Sequence, residues 1–167
     1  MKILGIDPGT VIMGYGLIEC EGSEIALVDY GAIVVPDKLK SGERLNYLYT
    51  ELLKVFRRYK PDVAAIESPF IAKNVRTALA IGRAQAIALL AAASQKVPTH
   101  EYSPAQVKLR VASYGASSKE QVQEMVRLQL GLAEAPQPND AADALAVALC
   151  HVQEMHTNEL MAEQGER

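Results

Sequence analysis

Four acidic residues stand where a strand should end or a helix should begin. Asp7 closes the apolar run Lys2-Ile3-Leu4-Gly5-Ile6 and is followed by a Pro8-Gly9 turn. Glu67 closes a second apolar run, Val63-Ala64-Ala65-Ile66. Asp140 and Asp143 open the last helical stretch, Asp140-Ala141-Ala142-Asp143-Ala144-Leu145-Ala146, three residues apart and so on one helix face. Each has an ordinary reading. Asp7 can cap its own turn, and an aspartate at a helix start caps free amides and suits the helix dipole. Together they suggest more. A carboxylate at the rim of a buried sheet needs a cation or a donor, because an unpaired buried charge is costly. Should the two strands be neighbours and the helix cross them, the four converge, and clustered carboxylates repel unless one is protonated or a divalent cation binds. Oxygen-only ligands select a hard ion, Mg²⁺ or Mn²⁺. Two such ions about 3.5–4 Å apart activate a water and stabilise a leaving oxygen in phosphodiester hydrolysis.

The elements that must position these residues are legible in outline. The first strand is followed by Val11 to Glu19, apolar with Gly14 and Gly16, which suits a strand that another backbone or a ligand approaches closely. After the Glu21-Gly22-Ser23 turn, Ile25 to Val35 completes an antiparallel meander. Leu45, Leu48, Leu52 and Val55/Phe56 keep helical spacing, and Pro61 ends that helix. Strand, helix and strand after a meander imply a mixed sheet with a crossover helix. Residues 74–95 are nearly all Ala, Leu, Ile and Gly. Apolar character all round implies burial on more than one face: one against the sheet, the other against a second subunit or, as the alternative, inside the monomer. Val97 to Tyr102 reads as a fifth strand, Ser103-Pro104 and Ser118 start two short helices, and the last helix begins at Asp140. Beyond Met155 the chain is polar and is expected to fray. The expected organisation is a single domain over residues 1–156 with a flexible acidic tail over 157–167.

Composition fits a globular protein, with 49% apolar and 22% charged residues. No uncharged apolar run approaches twenty residues, so no membrane span is expected. The start of the chain shows no signal pattern, and Cys20 and Cys150 have no metal-type spacing; both point to reduced thiols in the cytoplasm. A net charge of −3 argues against nucleic acid until its distribution is read. Residues 73–127 carry eight Lys/Arg against three Glu, a block of +5 that leaves −8 for the rest. A basic face beside an acidic pocket suits a protein that holds phosphates and does metal chemistry on them.

These motifs, in this order, resemble the RuvC family of Holliday-junction resolvases. The resemblance runs through Ile6-Asp7-Pro8-Gly9 with Gly14-Tyr15-Gly16, and Ile66-Glu67 with Phe70 and Lys73-Asn74. It continues in Glu101-Tyr102 with Gln106-Val107-Lys108, Gly115 with Lys119 and Gln121-Val122, Met125-Val126, and the Asp140 to Ala146 stretch, covering roughly residues 3–151. It implies an α/β, RNase H-like fold: a five-stranded mixed sheet of order 3-2-1-4-5 flanked by helices. It implies a homodimer, formed largely through the helix at 74–95, that nicks four-way DNA junctions symmetrically in recombination and repair with Mg²⁺ or Mn²⁺. Asp7, Glu67, Asp140 and Asp143 fall on the family's catalytic, metal-holding acids. Phe70, which by itself reads as a local core anchor in a Pro-containing loop, falls on an aromatic that stacks on a junction base; Lys108 and Lys119 fall on lysines near the active site, and Lys73 and Asn74 on the start of the long helix, where Arg76, beyond that match, is also placed to contact DNA phosphate. Family members act with RuvA and RuvB.

Three other readings compete. Asp7-Pro8-Gly9-Thr10 with Gly14 and Gly16 resembles the first phosphate loop of actin-like sugar kinases, but those need two such domains, and 167 residues leave no room. A related RNase H-like nuclease with another substrate, or a junction-binding module without chemistry, would keep the fold. Four intact acids argue against the last, since a binder has no use for repelling carboxylates. His100, His151 and His156 are dispersed and none is assigned to catalysis; His151 reads as a helix-end residue packing near the sheet.

Overall fold

The computed structural model describes residues 1–68 and 75–165. Ten elements follow in chain order: β1 (Lys2–Asp7), β2 (Ile12–Glu21), β3 (Glu24–Val34), α1 (Ser41–Tyr59), β4 (Val63–Glu67), α2 (Val75–Ser94), β5 (Thr99–Tyr102), α3 (Pro104–Ala112), α4 (Lys119–Gln129) and α5 (Asn139–Gly165). The strands form one sheet of order β3-β2-β1-β4-β5. The β1–β2 and β2–β3 pairs are antiparallel, as the meander required, and β1–β4 and β4–β5 are parallel. The crossover from β1 to β4 runs through α1, and that from β4 to β5 through α2.

Alternation along the strands sorts the core into two layers. Leu4, Ile6, Met13, Leu17, Ala64 and Ile66 face Leu48, Leu52 and Phe56 of α1 and the alanines of α2. Ile3, Ile18, Val63, Ala65 and Tyr102 face Val107 and Val111 of α3, Val122 and Val126 of α4, and α5. The capping serines are in place: Ser103 and Ser118 each accept the amide three residues on, while Gln106 and Gln121 reach back to the cap amide at 2.8 Å.

Helix α2 buries Ala84, Ala88, Ala91 and Ala92 but leaves Val75, Leu79 and Leu90 more than half exposed. It is therefore not a central helix enclosed by this monomer. By length and composition it could also cross a bilayer, although Arg76 and Arg83 interrupt it and its alanines pack on the sheet. The sequence expected no such segment, because it counted the arginines as breaks.

Residues 157–165 also differ from expectation. Read from their polarity as a tail, they continue α5 as helix to Gly165. Arg110 of α3 clasps this part, pairing with Glu154 at 2.6 Å and donating to the Thr157 hydroxyl at 3.3 Å. The residues that follow, Glu159-Leu160-Met161-Ala162-Glu163, are strong helix formers with no Gly or Pro among them. Polarity marks exposure; it does not end a helix.

Candidate active site

The parallel register of β1 and β4 pairs Ile6 with Ile66, so Asp7 and Glu67 stand side by side where the two strands end. Both continue the odd-numbered rows Ile3-Gly5-Asp7 and Val63-Ala65-Glu67, which face α5. Burial and charge are thus set together: a run that must be apolar to line the core delivers a carboxylate to its rim.

Glycines bring the other two acids across. Gly14 lies opposite Asp7 on β2, and a Cβ there would fall 1.9 Å from the Asp140 carbonyl oxygen. A Cβ at Gly5 would fall 2.0 Å from the Ala144 carbonyl oxygen, and one at Gly16 would meet Leu145. The first turns of α5 therefore rest on strand backbone, with Ala141, Ala142 and Ala144 fully buried in the contact. Asp140 and Asp143 come close enough to act on Asp7.

The electrostatics record that convergence. Burial, then the charges of Glu67 and Asp143, a hydrogen bond to Glu67 and the charge of Asp140 push the Asp7 carboxyl up to about 8. Glu67 is raised as well, chiefly by burial and the Asp143 charge, against the Asp7 hydrogen bond and the Lys119 and Lys108 charges that lower it. At neutral pH the pair therefore shares a proton across the Asp7–Glu67 hydrogen bond. Lys119 Nζ, at the start of α4, lies 2.5 Å from Asp143 Oδ2. Burial opposes the ammonium's charge, but Asp143, Asp7 and Asp140 outweigh it and keep Lys119 protonated. A cleft of about 250 Å³ opens beside the acids, lined by Glu67, Asp143, Lys108 and Lys119, with Val107 and Val122 as apolar wall.

Of the candidate residues, the structure thus brings together Asp7, Glu67, Asp140, Asp143, Lys108 and Lys119. Arg76 lies in the first turn of α2, exposed and engaged with a neighbour. Phe70, Lys73 and Asn74 lie outside the described residues. Among the described residues, no three His, Cys, Asp or Glu side chains form a ready cage for a metal ion. The donor chemistry fits a hard cation all the same: carboxylate oxygens only, crowded until one retains a proton.

Two features escaped the sequence. The Lys119–Asp143 pair joins the starts of two helices that no local pattern relates. His151 is not at a helix end. It is buried in mid-α5, and its Nδ1 shares a hydrogen bond of 2.7 Å with the Tyr102 hydroxyl. The exposed His100 ring lies 4.6 Å away between centroids. Burial, then His100, pulls His151 down to about 4, so it is neutral at physiological pH. The available signal was spacing, since His151 falls eight residues after Asp143, a little over two turns further along the same helix.

A mixed sheet of this order, flanked by helices and carrying acids at the ends of its two inner parallel strands, defines the RNase H-like class, and solved structures of that class superpose closely. The match extends to a family. The model of crossover junction endodeoxyribonuclease RuvC matches residues 3–151. The RuvC of Dehalococcoides mccartyi is 58% identical over 151 residues, 90% of each chain. That of Halothermothrix orenii is 44% identical over 165 residues, 99% of this chain and 100% of its own. A structure of Thermus thermophilus RuvC in complex with Holliday junction substrate matches with a TM-score of 0.88 and 34% identity, over 95% of this chain and 96% of that one. The chain belongs to the RuvC family of crossover junction endodeoxyribonucleases.

Proposed function

We propose that this chain resolves four-way DNA junctions by metal-dependent hydrolysis of two symmetrically placed phosphodiesters, in recombination and repair. The observation that carries the reading is the convergence of Asp7, Glu67, Asp140 and Asp143 at one sheet rim, beside a cleft walled by Lys108 and Lys119. Membership of the RuvC family supplies the substrate, since the Thermus thermophilus relative was solved with a Holliday junction.

The four carboxylates are the groups that would hold Mg²⁺, or Mn²⁺ in its place, with two ions per site. When bound, such ions lower the pKa of a water and neutralise charge developing on the leaving oxygen. The protein's own contributions are separable. The proton that Asp7 shares with Glu67 must leave before both act as full anions, so loading the site releases a proton. Lys108 and Lys119 meet the incoming phosphate, where fixed positive charge stabilises the transition state more than it would in water. Val107 and Val122 wall the cleft with apolar surface. Phe70 serves as the stacking aromatic at the junction centre, and Lys73, Asn74 and Arg76 as backbone contacts.

The working form is a homodimer through α2, whose exposed Val75, Leu79 and Leu90 provide an apolar face with small neighbours. A two-fold dimer presents two identical sites, as paired incisions require. The protein works in the cytoplasm with RuvA and RuvB; its two free, buried cysteines suit a reducing compartment.

The deciding experiment is cleavage of an immobile synthetic four-way junction, with Mg²⁺ and then Mn²⁺, beside linear duplex and an RNA–DNA hybrid. Paired symmetric nicks on the junction, lost in Asp7→Asn while junction binding persists, are expected. Cleavage of hybrid or duplex instead would make the chain another RNase H-like nuclease. Binding without cleavage in either metal would leave only a junction-binding module.

A further inference from the structure

Helix α5 is fastened to the sheet differently at its two sides. Over β1 and β2, Gly5, Gly14 and Gly16 let helix backbone rest on strand backbone. Neither β4 (Val63-Ala64-Ala65-Ile66-Glu67) nor β5 (Thr99-His100-Glu101-Tyr102) contains a glycine, so no such contact is open there. Yet Glu67 ends β4 and must hold its place against Asp140 and Asp143 on α5. Beside the apolar packing of Val63 and Ala65 in that layer, a side-chain hydrogen bond joins β5 to α5: Tyr102 Oη and His151 Nδ1 lie 2.7 Å apart, with both residues less than a tenth exposed.

The position of this bond argues for more than core filling. Tyr102 is the register partner of Glu67 in the β4–β5 ladder. Its carbonyl accepts the amide of Ser68, the residue next to Glu67, at 2.8 Å. A path of two hydrogen bonds and one strand pairing therefore leads from Glu67 to the helix bearing the other acids. Phenylalanine would fill the space of Tyr102 as well. The hydroxyl adds direction, and a buried hydroxyl facing a buried imidazole leaves both strongly dependent on that one geometry.

We propose that Tyr102 and His151 are positioning residues for the cleavage reaction, their hydrogen bond setting where Glu67 stands relative to Asp140 and Asp143. The proposal rests on the nuclease reading above. It adds two residues that touch neither phosphate nor cation.

The test uses the protein chain and Tyr102→Phe, His151→Leu and His151→Asn, the last keeping an amide that can donate or accept near the place of Nδ1. Single-turnover cleavage of pre-bound junction is measured beside junction affinity, thermal stability and amide exchange by NMR. Tyr102→Phe and His151→Leu are expected to slow cleavage of the bound junction by about tenfold or more, because sub-ångström misplacement of a reacting group is that costly. Junction affinity is expected to stay unchanged, and His151→Asn to recover most of the rate. The double variant Tyr102→Phe/His151→Leu should be no slower than either single one, as for two halves of one interaction. In Tyr102→Phe the Ser68 amide should exchange faster while the Leu4 and Ile6 amides of β1 keep their protection. Lower thermal stability with native cleavage rate and native Ser68 exchange would overturn the proposal and leave the pair a core contact. Should Tyr102→Phe not fold, equal rates for His151→Leu and His151→Asn would overturn it. If the native chain does not cut the junction, the nuclease reading fails by itself; native-like Ser68 exchange in the variants would then overturn the pinning of Glu67 separately.

Discussion

The two faces of the sheet solve the same packing problem by opposite means. On one face, α1 and α2 meet the strands through interlocking side chains: Leu48, Leu52 and Phe56 against Leu4, Ile6, Met13 and Leu17. On the other, the start of α5 meets β1 and β2 through backbone, with Gly5, Gly14 and Gly16 facing Ala144, Asp140 and Leu145. Side-chain packing holds elements together yet tolerates shifts, since a neighbour can change rotamer. Backbone contact has no rotamer to change. The part of that face that holds Asp7, Asp140 and Asp143 is the one built without slack, which suits the proposed chemistry, since a misplacement of about 1 Å of a reacting group costs roughly a hundredfold in rate.

The largest effect should come from putting a side chain into the tight face. Gly14→Val places a Cβ against the Asp140 carbonyl, so either α5 lifts or the strand bends. A loss of about 3 kcal/mol or more is expected, with junction cleavage abolished even in the protein that remains folded. Thermal denaturation and a cleavage assay on the same preparation check this. Full activity would show that the glycine contact does not position the acids.

Leu52→Ala probes the other face. It should cost about 2–5 kcal/mol through the cavity left between α1 and the sheet, yet leave the cleavage rate of bound junction unchanged at temperatures where the variant is folded. A rate loss at constant fold would break the contrast between the faces.

A third test exploits the repulsion stored at the tight face. The folded chain keeps the Asp7 proton up to about pH 8, whereas the unfolded chain releases it in the ordinary carboxylate range. Between these limits the folded state binds more protons than the unfolded one, so stability falls as pH rises. In metal-free buffer Asp7→Asn should match the native protein near pH 4 and be progressively more stable towards pH 8, by thermal melts across that range. Parallel stability curves would show that Asp7 is not strained by its neighbours.

The smallest effect on stability should follow from Lys119→Ala. Its partner Asp143 is largely covered, but Lys119 is half exposed, so the lost pair is worth no more than about 1 kcal/mol. Cleavage should nonetheless fall, by single-turnover kinetics. A large loss of stability with intact cleavage would place Lys119 in the scaffold and not in the site.

Much of this was legible in the chain before folding. Asp7 and Glu67 could be read as strand ends because apolar runs of that length, closed by turn residues, have few alternatives. Gly14 and Gly16 announced a close approach, though not by which element. Ser103 and Ser118 marked helix starts that the structure keeps. The errors share a cause. Polarity does not give the length of α5, because Arg110 on α3 decides where the helix is held. The possible enclosure of α2 within the monomer was left open because an apolar helix does not say how many of its faces this chain covers. Lys119–Asp143 and Tyr102–His151 were invisible because each joins residues far apart in sequence, with no periodicity relating them.

The sequence by itself determined the elements, their order and the kind of group at each rim, because strand and helix periods, turn residues and glycine positions are local properties of the chain. Tertiary structure alone decided that four carboxylates act on one another at one sheet rim, that Asp7 and Glu67 are raised together there, that a lysine covers Asp143 and that a tyrosine ties the Glu67 strand pair to α5. Those outcomes depend on register, on burial and on distances of a few ångströms between residues tens of positions apart, which no local pattern encodes.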